Sequence, residues 1–142
     1  MIKNASNFLD AIDVTAGVIR KDGRILVSRR TPGSHLEGLW EFPGGKREAG
    51  ETLRECLARE IREELDLAVQ PVSLIMTAAH EYEDKSVVLH FFECRVLSGE
   101  PRAVHGQEFR WVAPHELREL EFPPPDGELV ERLAAPPPGL RP

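Results

Sequence analysis

The sequence has few cysteines, few aromatic residues and no excess of positive charge. Only two cysteines occur, Cys56 and Cys94, in neither a CxxC pair nor a disulfide-dense pattern, so we expect both thiols to be buried and reduced. Aromatic residues make up 6% of the chain. The 18 Lys and Arg against 24 Asp and Glu give a net charge of -6, which argues against binding of long nucleic acid.

Long apolar runs are also missing. None approaches the roughly 18 residues of a membrane span, and the first ten residues lack the apolar core of a signal peptide. We therefore expect a cytoplasmic protein with no membrane partner. The length of 142 residues predicts one domain, with an ordered core over about residues 12–134 and loose tails at 1–11 and 135–142.

Strands and helices alternate along this single domain. Asp22-Gly23 predicts a β-hairpin that ends at Arg29 and Arg30, and a short strand is expected near Trp40. Later segments predict strands at 72–82, 86–96 and 107–112, a short helix at 114–120, a proline-rich corner at 121–126 and a last helix at about 127–133. This order predicts an α/β sandwich with a mixed sheet.

A crowded acidic segment follows a glycine loop in the middle of the chain. Leu53, Cys56, Leu57, Ile61 and Leu65 recur at steps of three and four, which predicts an amphipathic helix. Glu60, Glu63 and Glu64 then project from one side of it, where like charges repel unless a cation is bound. Hard carboxylate oxygens favour Mg²⁺ or Mn²⁺. The alternative is a solvated acidic face paired with neighbouring arginines.

The spacing of this segment resembles the Nudix box, G-x5-E-x7-R-E-U-x-E-E-x-G-U, in which U is apolar. Eight of the nine specified positions match, from Gly45 through Glu51 and Arg59 to Leu67; Asp66 stands where the family usually has glycine. Asp is one of the few other residues that adopt the positive φ of a helix end. The resemblance implies a Nudix-type α/β/α fold and the Mg²⁺-dependent hydrolysis of a nucleoside diphosphate linked to another group.

The resemblance also implies roles for individual residues. In the family, the residues that match Gly45, Glu60, Glu63 and Glu64 hold divalent metal, and those that match Glu51 and Arg59 pair to brace the loop. Either Glu60 or Glu64 is the candidate general base. The sequence does not choose between them.

Outside the box, the chain most resembles MutT-type nucleoside triphosphate pyrophosphohydrolases, including those that clear oxidised nucleotides in DNA repair. That resemblance implies that Arg30 contacts nucleotide, that Phe42 lines the base pocket and that Asp126 reads the base edge. Each has a plainer alternative: a surface cation for Arg30, core packing for Phe42 and a helix N-cap for Asp126. His105 stands where many relatives carry a further glutamate, so His105, nearby Glu108 or neither takes that role.

The expected activity is hydrolysis of a (deoxy)nucleoside triphosphate to a monophosphate and pyrophosphate, with oxidised or modified nucleotides such as 8-oxo-dGTP among the candidate substrates. Two alternatives stay open. One is hydrolysis of a dinucleoside polyphosphate, a nucleotide sugar or a capped RNA end, and the other is a non-catalytic binding domain. The sequence also leaves open whether the protein is a monomer or a homodimer.

Overall fold

The computed structural model describes residues 11–135. The predicted loose tails, 1–11 and 135–142, lie outside the described residues except for their innermost positions, Ala11 and Ala135. Neither α-helix in the described range is long and apolar enough to cross a membrane.

A mixed β-sheet forms the centre of the described chain. Its main strand order is β3-β2-β1-β6-β5, with β4 paired to β1 and β7 paired to β2. β1 and β6 run parallel, whereas the other neighbours are antiparallel. The strands are β1 (Ile12–Lys21), β2 (Arg24–Arg29), β3 (Trp40–Glu41), β4 (Gly44–Lys46), β5 (Ala68–Glu81), β6 (Ser86–Ser98) and β7 (Phe109–Val112).

Helix α1 spans Leu53–Leu65 and carries the acidic segment. Thr52 caps its first turn and forms a capping box with Glu55, which satisfies two backbone N–H groups. Asp66 ends the helix in the left-handed region, with φ 50° and ψ 40°. The departure from glycine at this position therefore leaves the helix end intact.

Layers of helix cover both faces of the sheet. The apolar side of α1 packs on one face through four buried residues, and burial of each large apolar side chain contributes about 1.5–3 kcal/mol. The other face is covered by two 3₁₀ segments, Pro114–Glu119 and Pro124–Asp126, and by helix α2 (Gly127–Ala134). The buried residues of α1 are Cys56, Leu57, Ile61 and Leu65.

The sequence located most elements and missed some details. Both cysteines are buried and free, as expected. The segment predicted as a helix at 114–120 is a 3₁₀ helix. Strand β5 begins at Ala68, earlier than predicted, because an edge strand tolerates Pro71 beside an irregular register.

Strand β4 was predicted as loop, and its pairing with β1 depends on a glycine. A Cβ on Gly44 would lie 1.9 Å from the carbonyl oxygen of Thr15, well inside any allowed contact. The missing side chain therefore lets the glycine loop lie directly against β1. This contact fixes where the chain enters α1.

We expect Gly44→Ala to lower the free energy of unfolding by more than about 2 kcal/mol, because backbone atoms of β1 must move to admit the methyl group. Urea denaturation measures the change. Gly127→Ala is the matched control: nothing lies within 4 Å of its added Cβ, and we expect stability to stay equal or rise slightly. Equal stabilities for wild type and Gly44→Ala would contradict the close approach.

Candidate functional site

An ion pair between Arg59 and Glu51 ties the glycine loop to helix α1. Arg59 Nε donates to Glu51 Oε2 at 2.9 Å, and Nη2 donates to Oε1 at 2.7 Å. The Glu51 side chain is only 14% exposed, and it also accepts from the backbone N–H of Glu48. Hydrogen bonds from Arg59 lower the pKa of Glu51 to about 2, and Glu51 in turn raises the pKa of Arg59.

The same guanidinium reaches two of the predicted metal ligands. Arg59 Nη1 donates to Glu60 Oε1 at 3.0 Å and to Glu63 Oε2 at 3.1 Å. Nη2 also donates to the carbonyl of Lys46 at 3.2 Å. Arg59 therefore connects the glycine loop, through Glu51 and Lys46, to Glu60 and Glu63 of α1.

Glu60 lies directly against Gly45. A Cβ on this glycine would come within 2.4 Å of Glu60 Oε2, so no other residue type fits without displacing the carboxylate. The Gly45 carbonyl accepts from Thr15 Oγ1 at 3.3 Å and from Cys56 Sγ at 3.5 Å. The Gly45 carbonyl thus has two side-chain donors in this structure.

Glu64 lies deeper than Glu63. Within residues 11–135, no hydrogen bond or ion pair engages its carboxylate. Burial, followed by the negative charges of Glu41 and Glu60, raises the pKa of Glu64 to about 8. Burial also raises the pKa of Glu60, although Arg59 opposes the shift.

The donor set fits a hard divalent cation. Three carboxylates and a backbone carbonyl offer only oxygen, and positive charge would relieve the repulsion between Glu60 and Glu64. In the described range, no three His, Cys, Asp or Glu side chains converge closely enough to hold a metal as they stand. Glu60 and Glu63 both accept hydrogen bonds from the Arg59 guanidinium in this structure.

A cavity of about 340 Å³ opens beside the glycine loop. It brings together all three residues predicted to bind substrate, although they come from distant parts of the chain: Arg30, Phe42 and Asp126. Gly45 also lines the cavity, and through its contact with Glu60 it connects the cavity wall to the acidic helix.

Asp126 is buried in this cavity, at 5% exposure, and does not cap a helix. It stands at the N-cap position of α2, but its side chain makes no capping hydrogen bond. The N-cap alternative is therefore wrong. Burial and the negative charge of Glu41 raise the pKa of Asp126 to about 7.

Phe42 and Arg30 both line the cavity, and each also contacts residues beside it. Phe42 is buried and stacks on Phe122, with ring centroids 5.0 Å apart, while it also lines the cavity. Core packing and a pocket wall are thus compatible. Arg30 Nη1 donates to Glu41 Oε2 at 2.8 Å, and its Nε donates to the carbonyl of His35.

Glu41 is a site residue that sequence reasoning missed. It lines the cavity, pairs with Arg30 and raises the pKa of both Asp126 and Glu64. It therefore lies between the cavity and the acidic helix. Its place between buried Trp40 and Phe42 was the available signal, because a charged residue inside such a segment needs a partner.

His105 and Glu108 occupy different surroundings. His105 lines a small cleft together with Glu64, Arg30 and Glu41. Glu108 instead pairs with Arg110 at 3.0 Å and with Arg29 at 3.4 Å. Of the two alternatives, His105 is the one that shares a cleft with a predicted metal ligand.

Comparison with known proteins gives a consistent result. Residues 14–132 match the NUDIX domain family. The chain is 37% identical over 123 residues to an 8-oxo-dGTP diphosphatase of Haemophilus influenzae, covering 86% of this chain and 90% of the relative. It is 34% identical over 124 residues to a CTP pyrophosphohydrolase of Escherichia coli, covering 87% and 92%.

Solved structures agree with the fold. A MutT protein from Methanosarcina mazei Go1 superposes with a TM-score of 0.78 at 27% identity, covering 87% of this chain and 92% of the other. The predicted α/β Nudix architecture is confirmed.

The Arg59–Glu51 pair should make the free energy of unfolding depend on pH in the acidic range. The lowered pKa of Glu51 means that the pair stabilises the fold above the unfolded value of about 4.3 and that this stabilisation is lost as the pH falls towards about 2. We expect Glu51→Gln to flatten the slope of unfolding free energy against pH in that window. Urea denaturation at several pH values measures the slope, and Arg59→Gln should flatten it too. Unchanged slopes in both variants would show that the pair is not formed.

Proposed function

Because the chain belongs to the NUDIX domain family of hydrolases, we propose that it hydrolyses (deoxy)nucleoside triphosphates to a nucleoside monophosphate and pyrophosphate with the help of Mg²⁺. The single observation that carries the proposal is the position of the cavity. It is lined by Asp126 and Phe42 and also by Gly45, which lies against Glu60. A base and a metal-bound phosphate chain can therefore be held side by side.

The residues of α1 supply the metal site in this proposal. Nudix hydrolases generally use a divalent metal, and Glu60, Glu63, Glu64 and the Gly45 carbonyl are the ligands that we propose here. A divalent cation held there would neutralise phosphate charge and lower the pKa of water. Glu60 and Glu63 would then have to leave Arg59, which would keep its two hydrogen bonds to Glu51. The loop thus stays braced while the carboxylates change partner.

A carboxylate of α1 accepts the proton of the attacking water. Glu60 and Glu64 are the candidates, and their surroundings differ: Glu60 is bound by Arg59, whereas Glu64 is bordered by negative charge. Water attacks the β-phosphorus, and the bond from that phosphorus to the oxygen that bridges it to the α-phosphorus breaks. This oxygen leaves with the nucleoside monophosphate. The water oxygen therefore ends in pyrophosphate.

Arg30 and Glu41 connect the two halves of the site. Arg30 offers a guanidinium to the nucleotide near the point where the cavity meets the acidic helix. Its ion pair with Glu41 holds it there, at about 30% exposure on both side chains. The names of two relatives, an 8-oxo-dGTP diphosphatase and a CTP pyrophosphohydrolase, support a triphosphate substrate and leave the base open.

A product assay tests the activity directly. Purified protein with Mg²⁺ is incubated with dGTP, 8-oxo-dGTP, dCTP, a dinucleoside polyphosphate and a nucleotide sugar, and the products are separated by chromatography. We expect triphosphates to give monophosphate and pyrophosphate, with ¹⁸O from labelled water in the pyrophosphate. Failure to cleave any of the triphosphates with Mg²⁺ or Mn²⁺ would refute the proposal, whatever the result with the other compounds.

Substitutions on α1 test the metal site. Glu60→Gln and Glu64→Gln should each lower kcat/KM at least about 100-fold, because each removes a ligand or a proton acceptor. Binding of Mn²⁺, measured by calorimetry, should weaken in both. Glu55→Gln is the matched control on the same helix: glutamine keeps the capping box, and activity should stay within about two-fold. Full turnover in both test variants would place the site elsewhere.

Asp126 should make base preference depend on pH. With a pKa of about 7, its carboxyl is neutral at lower pH and donates to a carbonyl such as O6 of 8-oxoguanine. When ionised at higher pH it only accepts, which suits the amino group of cytosine. We expect the ratio of kcat/KM for 8-oxo-dGTP over dCTP to fall about ten-fold between about pH 6 and pH 8.

The ratio cancels pH effects on metal binding and on the general base, because both substrates share them. Asp126→Asn is the control, since an amide does not titrate in this range. Its ratio should stay constant across the same pH values. A wild-type ratio that does not change with pH would show that Asp126 does not contact the base.

A further inference from the structure

Two segments that are far apart in sequence meet in the wall of the cavity. His35 lies in the loop between β2 and β3, and Tyr82 follows the end of β5. Their ring centroids are 4.8 Å apart and the ring planes meet at 85°, an edge-to-face contact. Both residues line the cavity that contains Asp126. The contact therefore joins two parts of the cavity wall.

Tyr82 is supported from its own hairpin as well. His80 packs against the same ring at 4.6 Å and 66°, and Lys85 lies 6.0 Å from the ring centroid. His80 borders a separate small cavity beside β6 and does not line the larger one. The Tyr82 ring is thus held by His80 and Lys85 from its own hairpin and by His35 from the loop between β2 and β3.

The loop that carries His35 is bent in an unfavourable way. Leu36, which also lines the cavity, has φ +59°, a value that a residue with a branched side chain rarely adopts. Arg30 makes two hydrogen bonds that hold this bend. Arg30 Nε donates to the carbonyl of His35, and the Arg30 carbonyl accepts from the N–H of Gly38 at 3.0 Å. The strained segment places His35 and Leu36 at the cavity.

Tyr82 lies near Asp126 in the wall of the cavity. Burial and then the negative charge of Asp126 raise the pKa of the Tyr82 hydroxyl, while Arg30 opposes this shift. The hydroxyl therefore shares the same space as the two groups expected to contact nucleotide. Most of the remaining wall there is apolar, as at Phe42 and Leu89.

We propose that His35 and Tyr82 form a specificity-determining pair that sets the width of the base pocket, with the Tyr82 ring in contact with the base. This inference rests on the proposed function, in which the cavity holds the base. A purine fills the space up to the pair, whereas a pyrimidine is smaller and touches it less. Loss of either ring removes packing from the purine more than from the pyrimidine.

Equilibrium binding and kinetics test the pair. In His35→Ala and Tyr82→Ala we expect the Kd for dGMP, measured by calorimetry without metal, to rise about five-fold, and that for dCMP to rise less than about two-fold. The ratio of kcat/KM for dGTP over dCTP should fall by a similar factor, with kcat within about two-fold of wild type. The double variant should be no worse than either single variant, because the two rings share one contact.

Two further variants separate the pair from simple support of the hairpin. Tyr82→Phe keeps the edge-to-face contact and should keep the wild-type dGMP to dCMP preference. His80→Ala removes the contact within the hairpin but leaves the contact across the cavity, so its preference should also stay within about two-fold of wild type. A His80→Ala change as large as that of His35→Ala would overturn the pair.

The inference and the proposed function fail in different ways. Wild-type affinities for dGMP and dCMP in both His35→Ala and Tyr82→Ala, in protein that still cleaves triphosphates, would overturn the pair and leave the proposed function standing. Absence of triphosphate cleavage by wild-type protein would overturn the proposed function. The metal-free binding measurement then decides by itself whether the pair discriminates between the two monophosphates.

Discussion

The close approach of the glycine loop to its neighbours is the constraint on which the site depends. Gly44 lies against the backbone of β1, and Gly45 lies against the carboxylate of Glu60, at distances that exclude a side chain at either position. Arg59 then ties the loop to α1 through Glu51. The packing of the glycine loop thus sets the position of the acidic side chains. The Arg59–Glu51 ion pair holds the loop against α1.

Charge in the site is organised around two arginines. Arg59 compensates Glu51, Glu60 and Glu63, and Arg30 compensates Glu41. Glu64 and Asp126 lie close to this charge, and burial raises the pKa of both. The protein therefore contains carboxylates with very different proton affinities within one site, from Glu51 at about 2 to Glu64 at about 8. Such a spread suits a site that binds a cation, moves a proton and recognises a base.

The sequence predicted the parts of the fold that follow from local pattern. The stripe from Leu53 to Leu65 predicted α1, because it depends on neighbours along one helix. The resemblance to the Nudix box implied the pairing of Glu51 with Arg59, which the structure contains. Strand β4 was missed, since its pairing depends on the empty space at Gly44, a property of the folded chain. Glu41 and the meeting of His35 with Tyr82 were missed because their contacts are made only when separate segments come together in the folded chain.

The parallel pairing of β1 with β6 has a consequence for how the protein acquires its site. Nine residue pairs join these strands, beginning with Ile12 and Val87, and the glycine loop, α1 and β5 all lie between them in the chain. Such distant pairing closes a long loop, which costs entropy and slows folding. The cavity draws its walls from both strands, so it exists only after that closure. The cavity therefore depends on contacts between distant parts of the chain, whereas the backbone hydrogen bonds of the acidic helix are local.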